Sequence, residues 1–184
     1  MIVVPITEKM KGTARAWEAV ILSNLKYDIN YTGIRTGRAF YWGFLGEFAV
    51  GSLLKEHKRQ AVYHVNLKGN GDAEDFTLCS PTGSNLAVDV KATSPKAYHN
   101  DKLLVNERQH GIKDDRYYMG VYISENEDCA HVWGVMKVRD MLYNKKGFTR
   151  KGEPTYYMQF RHLPSIEHFL TVIRQGEFII KIQK

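Results

Sequence analysis

The stretch EDFTLCSPTGSNLAVDVKAT, residues 74–93, places charged side chains in two segments that otherwise have the pattern of hydrophobic strands. The PTGSN sequence between the two segments has the composition of a turn. Because successive side chains of a strand point to opposite faces, Asp89 and Lys91 share one face while the apolar residues around them face the core. Asp75 lies on the corresponding face of the preceding strand, so we expect the three charged side chains to gather at one end of a sheet.

Two carboxylates held a few ångströms apart repel each other unless one is protonated or a cation neutralises them. A hard divalent cation such as Mg²⁺ is the usual neutralising group, and water completes its octahedral shell. A neighbouring lysine can stabilise developing negative charge or help to deprotonate a metal-activated water. The pattern favours phosphodiester hydrolysis. The alternative is a cross-strand Asp–Lys salt bridge on a solvated face, which contributes about 0–1 kcal/mol.

A further carboxylate interrupts the helix predicted over about residues 38–57. At 100° per residue, Glu47 lies on the same stripe as Phe40 and Leu54, which is a packing face. A carboxylate in such a face needs a partner, and either a metal ion or a nearby Lys or Arg satisfies that need. Three glycines each weaken this helix by about 1 kcal/mol relative to Ala, which indicates a close approach to the sheet. They are Gly43, Gly46 and Gly51.

With a helical Glu47, Asp75 at the start of a second strand and Asp89-Val90-Lys91 on a third, the chain resembles the PD-(D/E)XK phosphodiesterase superfamily, the restriction-endonuclease-like nucleases. The match covers roughly residues 38–138. The resemblance implies an Mg²⁺ site, in which Mn²⁺ can substitute, and makes Lys91 the catalytic lysine. The implied metal ligands are Glu47, Asp75, Asp89 and the carbonyl of Val90.

Two other acids close to the second strand remain alternatives to Asp75 as a ligand. They are Asp72 and Glu74.

The resemblance also implies an α/β fold with a restriction-endonuclease-like core, in which a central mixed β-sheet is flanked by helices. We expect a single nuclease domain over residues 1–184, with an N-terminal helix at 8–25 and a core at about 38–138. A C-terminal α/β extension then occupies residues 139–184.

Periodicity and turn residues predict the individual elements. Three strands at 61–67, 74–80 and 86–93 should form an antiparallel meander. The other predicted elements are a short helix at 105–110, strands at 116–124 and 130–138, a basic loop at 144–154, a strand at 155–160, a helix at 165–175 and a strand at 177–183.

Eight residues outside the predicted metal site are candidates for contacting DNA. Three of them, Thr93, Ser94 and Lys96, follow the catalytic lysine and could donate hydrogen bonds to phosphates, although an ordinary turn explains them equally. Gln109 could reach the site from a short helix or lie on a solvated helix face. The other four flank Phe148 in a Gly-containing loop, a composition typical both of loops that bind a nucleic-acid strand and of solvated loops. These residues are Thr93, Ser94, Lys96, Gln109, Lys145, Lys146, Arg150 and Lys151.

Composition limits the partners. Lys and Arg outnumber Asp and Glu by 26 to 20, and the formal charge of +6 favours a polyanion such as DNA. Cys79 and Cys129 lack the spacing of a disulfide framework or a zinc site, so we expect a cytoplasmic protein. No apolar run is long enough for a membrane span, and no phosphate-binding glycine motif indicates a nucleotide cofactor. A homodimer is plausible because paired sites often cut two strands.

These observations predict an Mg²⁺-dependent DNA endonuclease, a metal-dependent deoxyribonuclease that hydrolyses phosphodiester bonds with metal-activated water. The first alternative is a catalytically inactive nucleic-acid-binding module of the same fold. The second is an interaction protein in which the acidic residues form surface ion pairs.

Overall fold

The computed structural model describes residues 1–25, 39–67, 74–94, 101–106, 116–137, 139–140, 146–148 and 154–183. Its helices are α1 (Glu8–Leu25), α2 (Ala39–Glu56) and α3 (Ile166–Thr171), with a 3₁₀ turn at Phe160–His162. Its strands are β1 (Ile2–Pro5), β2 (Ala61–Asn66), β3 (Phe76–Cys79), β4 (Asn85–Thr93), β5 (Lys102–Asn106), β6 (Tyr117–Ile123), β7 (Cys129–Lys137), β8 (Lys146–Phe148), β9 (Pro154–Gln159) and β10 (Phe178–Gln183).

The described strands form a large mixed sheet and a small one. The large sheet has the order β1-β7-β6-β4-β3-β2-β10, and the small sheet has the order β5-β9-β8. The β4–β6 and β2–β10 pairs are parallel, and the other pairs of the large sheet are antiparallel. The architecture is therefore α/β, with a mixed sheet flanked by helices.

The large sheet separates two hydrophobic cores. On one face, the helices pack against the sheet and form the main core, which includes Leu45 of α2 and Val88 of β4. On the other face, β5, β9 and the 3₁₀ turn cover a second core that contains Tyr118 and Phe160. Along β4, Val88 and Val90 belong to the main core, so the intervening Asp89 points to the opposite face. The alternation predicted from the sequence is confirmed.

Most of the predicted elements are present. The helix at 8–25 is confirmed, the helix at 38–57 is α2, and the β2–β3–β4 meander is antiparallel as expected. The predictions for 116–124, 130–138, 155–160 and 177–183 correspond to β6, β7, β9 and β10. The helix predicted at 165–175 is shorter, because regular α-helix ends at Thr171.

Two predictions in the second half of the chain are wrong in part. The helix expected at 105–110 begins instead as strand, since Lys102–Asn106 forms β5 and pairs with β9. Residues 107–110 lie outside the described part. The basic loop expected at 144–154 contains β8, which pairs with the other edge of β9. At β5, pairing with a strand distant in sequence determines the structure, whereas β8 pairs with the strand that follows it in the chain.

Close contact between α2 and β4 positions the candidate site. A Cβ atom added to Gly46 would lie 2.7 Å from the Cβ of Ala92, so the glycine permits this approach. A Cβ added to Gly51 would meet the ring of Phe178 at 3.3 Å. At Gly43, by contrast, nothing lies within 4 Å of such an atom, so the predicted close approach is wrong there.

The segment after β7 contributes to both sheets. Its β9 is the central strand of the small sheet, and its β10 pairs with β2 at one edge of the large sheet as described. The intervening turn packs on two glycines. A Cβ added to Gly120 would lie 2.8 Å from Phe160, and one added to Gly134 would clash with the carbonyl oxygen of Pro164. Among the described residues, no helix combines the length and the apolar character that crossing a membrane requires.

Candidate active site

Glu47 enters the site from the helix layer. It is half-buried on α2, and its Oε2 accepts a hydrogen bond of 2.7 Å from the hydroxyl of Tyr63. Burial raises the pKa of Glu47 well above its usual value, and the negative charge of Asp75 raises it further. The tyrosine is itself held by stacking on Phe76, with ring centroids 4.7 Å apart. Glu47 is therefore a positioned acid that resists ionisation in the absence of a cation.

Asp75 lies at the point where β3 and β4 separate. The last β3–β4 pair toward this end is Phe76 with Val88, and beyond it Oδ2 of Asp75 accepts a 2.6 Å hydrogen bond from the amide of Val90. The carboxylate thus continues the strand ladder in place of a backbone carbonyl. Burial, followed by the charge of Asp89, raises the pKa of Asp75 to about 7. This carboxyl therefore titrates near neutral pH.

Asp89 is held by an arginine that the sequence patterns did not predict. Asp89 is only 7% exposed and Arg116 only 8% exposed. The Nη1 group of Arg116 donates to both carboxylate oxygens of Asp89, at 3.0 Å and 2.8 Å. Charge-assisted hydrogen bonds of this kind are strong, and each partner compensates the burial of the other. The solvated salt bridge considered above is therefore not the arrangement of Asp89.

Lys91 follows on the same face of β4. Its Nζ lies over the ring of Tyr118 at 5.3 Å from the centroid, a favourable cation–π distance. The lysine charge lowers the pKa values of both Glu47 and Asp75, although burial and acidic neighbours raise them more. Lys91 is therefore in electrostatic contact with the acidic cluster.

The structure brings together the residues of the predicted centre: Glu47, Asp75, Asp89, Val90 and Lys91. Because the N–H and C=O of one residue leave a strand on the same edge, the carbonyl of Val90 faces the side on which Asp75 lies. We call the three carboxylates, Glu47, Asp75 and Asp89, the acidic cluster. Its members come from helix α2 (Glu47), from the residue that precedes β3 (Asp75) and from the middle of β4 (Asp89).

Glu74, one alternative to Asp75, lies at the periphery of this cluster. Its Oε1 accepts a 3.0 Å hydrogen bond from Thr77, and its Oε2 lies 3.9 Å from Arg116. Burial raises the pKa of Glu74, but hydrogen bonds from its own amide and from Thr77 outweigh burial, and the net pKa is lowered. The other alternative, Asp72, lies outside the described residues.

The predicted DNA contacts are only partly described. Thr93 is half-buried at the end of β4. Ser94 is 3% exposed, and its hydroxyl has no hydrogen-bond partner among the described residues. Lys146 belongs to the backbone of β8. The remaining predicted contacts lie outside the described part of the chain: Lys96, Gln109, Lys145, Arg150 and Lys151.

Sequence reasoning missed Arg116 and Tyr63, which hold two members of the acidic cluster. Tyr63 lies on the buried face of β2, where a phenolic hydroxyl requires a partner, and this requirement pointed to a neighbouring acid. Arg116 immediately precedes β6, whose parallel pairing with β4 brings it beside Asp89. The only sequence signal for the arginine was a charged residue next to a buried strand.

The donor chemistry of the cluster suits a hard divalent cation, because three carboxylates and a backbone carbonyl are oxygen ligands. Burial, and after it the negative charge of neighbouring carboxylates, raises the pKa values of Glu47 and Asp75, and a bound cation would favour their ionised forms. Within the described ranges, no group of three or more His, Cys, Asp or Glu side chains has the spacing to hold a metal ion as the side chains stand. Both carboxylate oxygens of Asp89 accept hydrogen bonds from Nη1 of Arg116.

Comparisons with family models, curated proteins and solved structures found no match to this chain.

Proposed function

We propose that the protein is an Mg²⁺-dependent DNA endonuclease with a restriction-endonuclease-like core. The observation that carries the proposal is the acidic cluster itself. Two of its acids have raised pKa values caused by burial and by neighbouring negative charge, and a lysine lies beside them. Clusters of buried, mutually repelling acids are a liability for stability, and they occur preferentially where chemistry requires them. The arrangement of a helical acid, two strand acids and a lysine suits phosphodiester hydrolysis.

When bound, Mg²⁺ supplies Lewis-acid activation of a water molecule and stabilises charge on the phosphate. Glu47, Asp75, Asp89 and the Val90 carbonyl would hold it. The role of Tyr63 is to fix the position of Glu47 through their 2.7 Å hydrogen bond. Lys91 would accept a proton from the attacking water or neutralise the developing charge on phosphate oxygen.

Topology and charge support the rest of the proposal. Helix α2 is followed by the predicted β2–β3–β4 meander, and the later strand β6 runs parallel to β4. The formal charge of +6 favours approach to DNA, whose phosphates contribute most of the nonspecific binding free energy.

The direct test is cleavage of labelled linear, branched and single-stranded DNAs in Mg²⁺ or EDTA by the wild type and by Lys91→Ala. Lys137→Ala is a matched control, because Lys137 makes a similar cation–π contact with Tyr117 at 5.2 Å on neighbouring strands. We expect cutting that requires the metal and Lys91 but not Lys137. Equal activity of the two variants, or equal activity in EDTA, would contradict the proposal.

A second candidate function, the inactive nucleic-acid-binding module, is favoured by one specific contact. Arg116 already neutralises Asp89 without a metal, with hydrogen bonds of 3.0 Å and 2.8 Å. If Arg116 permanently replaces the cation, Mg²⁺ and Mn²⁺ will not raise the unfolding temperature, because a ligand that does not bind the native state cannot stabilise it. A metal-dependent rise that disappears in Asp75→Asn would instead support the nuclease.

A further inference from the structure

The face of the large sheet that carries the second core also carries a pocket of about 420 Å³, and no member of the acidic cluster lines it. This volume is in the range of small-ligand sites. The pocket is lined by Asp101, Tyr122, Trp133, Gln159, Phe160 and Arg161. Three of these six residues are aromatic, and the other three are polar or charged, so the pocket combines flat apolar walls with hydrogen-bonding groups.

The aromatic walls are set by specific features of the backbone. Gly120 pairs with Gly134 and Val121 with Val132, so Trp133 is the extra residue of a β-bulge. A bulge redirects a side chain, and here it places the indole parallel to the ring of Phe160, with centroids 6.0 Å apart and planes at 10°. The indole N–H is buried and has no partner among the described residues, so packing holds the ring in place. Since Phe160 is only 4% exposed, the half-buried Trp133 and Tyr122 supply the accessible aromatic surface of the pocket.

Two of the three polar residues that line the pocket have exposed side chains. Asp101 and Arg161 are exposed, and Nε of Arg161 donates a 3.1 Å hydrogen bond to Oε1 of Gln159. This contact orients the guanidinium and directs the amide oxygen of Gln159 toward it. The carboxylate of Asp101 accepts hydrogen bonds, while the guanidinium donates them. A nucleobase presents a flat π-surface with donors and acceptors along one edge, and the pocket offers the complement of each.

The pocket and Asp89, one member of the acidic cluster, lie on the same face of the large sheet. In the parallel β4–β6 pair, Asp89 is opposite Tyr118, and Thr93 is opposite Tyr122. Tyr118 and Tyr122 are four positions apart and therefore point to the same side. At about 3.3 Å per residue, the pocket wall lies roughly 13 Å along the strand from Asp89. This separation corresponds to the length of a few nucleotides of one DNA strand.

We propose that this pocket binds one unstacked nucleobase of the DNA strand, a few nucleotides from the phosphate at the acidic cluster. The inference rests on the proposed function for its choice of DNA. Stacking supplies the binding free energy, and Asp101 and Arg161 supply an acceptor and donors for hydrogen bonds to the edge of the base. The pocket therefore contributes a preference for one position of the substrate in addition to contacts with phosphates.

The test measures binding in EDTA, so that cleavage plays no part. Fluorescence anisotropy gives the Kd of single strands that differ only in the position of one abasic site, for the wild type and for Tyr122→Ala. Tyr157→Ala is the matched control, since Tyr157 is half-buried on β9 and does not line the pocket. For the wild type, we expect one abasic position to weaken binding by about 10- to 100-fold, the range measured for loss of base stacking.

In Tyr122→Ala, binding of intact DNA should weaken by a similar factor, and the abasic site should cause no further loss. Arg161→Ala provides a second variant that does not threaten the core, because Arg161 is exposed, and exposed Arg174 is its control. Equal losses at every abasic position, or wild-type affinity in both Tyr122→Ala and Arg161→Ala, would overturn the inference. Failure of the wild type to bind any DNA would overturn it as well.

Cleavage assays on the same strands in Mg²⁺ separate this inference from the proposed function. Metal-dependent cutting without any position-specific effect of the abasic site would refute the pocket and leave the nuclease standing. Position-specific binding that depends on Tyr122, with no cutting under any metal condition, would support the pocket and refute the nuclease.

Discussion

Replacing Asp75 by Asn should stabilise the metal-free protein, and the gain should increase with pH. Asn keeps an oxygen that can accept the 2.6 Å hydrogen bond from the Val90 amide, but it removes the ionisable group. Burial and the charge of Asp89 raise the pKa of Asp75 from 3.8 to about 7. Since the unfolded chain releases this proton near pH 3.8, the folded state holds more protons between these two values.

The protonated carboxyl of Asp75 therefore contributes fully to the stability of the wild type below about pH 3.8, and this contribution is lost as the pH rises through 7. At 1.36 kcal/mol for each pKa unit, the complete loss is about 4 kcal/mol, and about 2 to 3 kcal/mol of it falls between pH 5 and pH 8. The raised pKa of Glu47 acts in the same direction. Between pH 5 and pH 8, the free energy of unfolding of Asp75→Asn relative to that of the wild type should increase by about 2 to 3 kcal/mol.

Urea unfolding in EDTA at about pH 5 and pH 8 measures this difference directly. Glu74→Gln is the control, because the pKa of Glu74 is lowered and its removal should bring no such gain. Adding Mg²⁺ at the higher pH should stabilise the wild type but not Asp75→Asn. A variant whose stability relative to wild type is the same at both pH values would show that Asp75 is not a strained carboxylate and would refute the reasoning.

Three further predictions concern the same region. Lys91→Met should reduce kcat by at least about 100-fold in single-turnover cleavage while DNA affinity stays within a few-fold, and an equal loss in affinity would assign Lys91 to binding instead. Tyr63→Phe removes the hydrogen bond that lowers the pKa of Glu47, so the acidic limb of the pH–rate profile should move to higher pH, and an unmoved profile would contradict this role. Gly46→Ala should destabilise the protein by about 1 to 3 kcal/mol in thermal unfolding because of its 2.7 Å clash, whereas Gly43→Ala should stabilise it by up to about 1 kcal/mol, and the reverse order would show that α2 packs differently.

The acidic cluster was predictable because its signals are local. Alternation along β4 places Asp89 and Lys91 on one face, and helical periodicity places Glu47 on a buried stripe. Each signal depends only on residues within a few positions of the one it identifies. The antiparallel β3–β4 pair, joined by a short turn, then fixes the position of Asp75 next to Asp89.

The partners of the cluster and the small sheet could not be predicted in this way. Arg116 lies 27 positions from Asp89, and the two meet only because β6 runs parallel to β4. The register of such a pair depends on the connection between the strands and leaves no local pattern. In the same way, Lys102–Asn106 forms a strand because it pairs with Pro154–Gln159, about fifty residues later. In this segment, tertiary pairing outweighs the weak local preference for helix.

The parallel pairing of β10 with β2 also has a kinetic consequence. Phe178 is opposite Ala61, so this edge of the sheet closes only after a segment of more than one hundred residues has been ordered. Long-range parallel pairs form late, because the entropy of closing the loop opposes them until the rest of the fold is in place. Until then, the apolar edge of β2 is open to pairing with other chains, and the half-exposed Ile179, Ile180 and Ile182 are exposed more fully. Refolding yield should therefore depend on protein concentration, with the sheet edge at β2 as the site of intermolecular association.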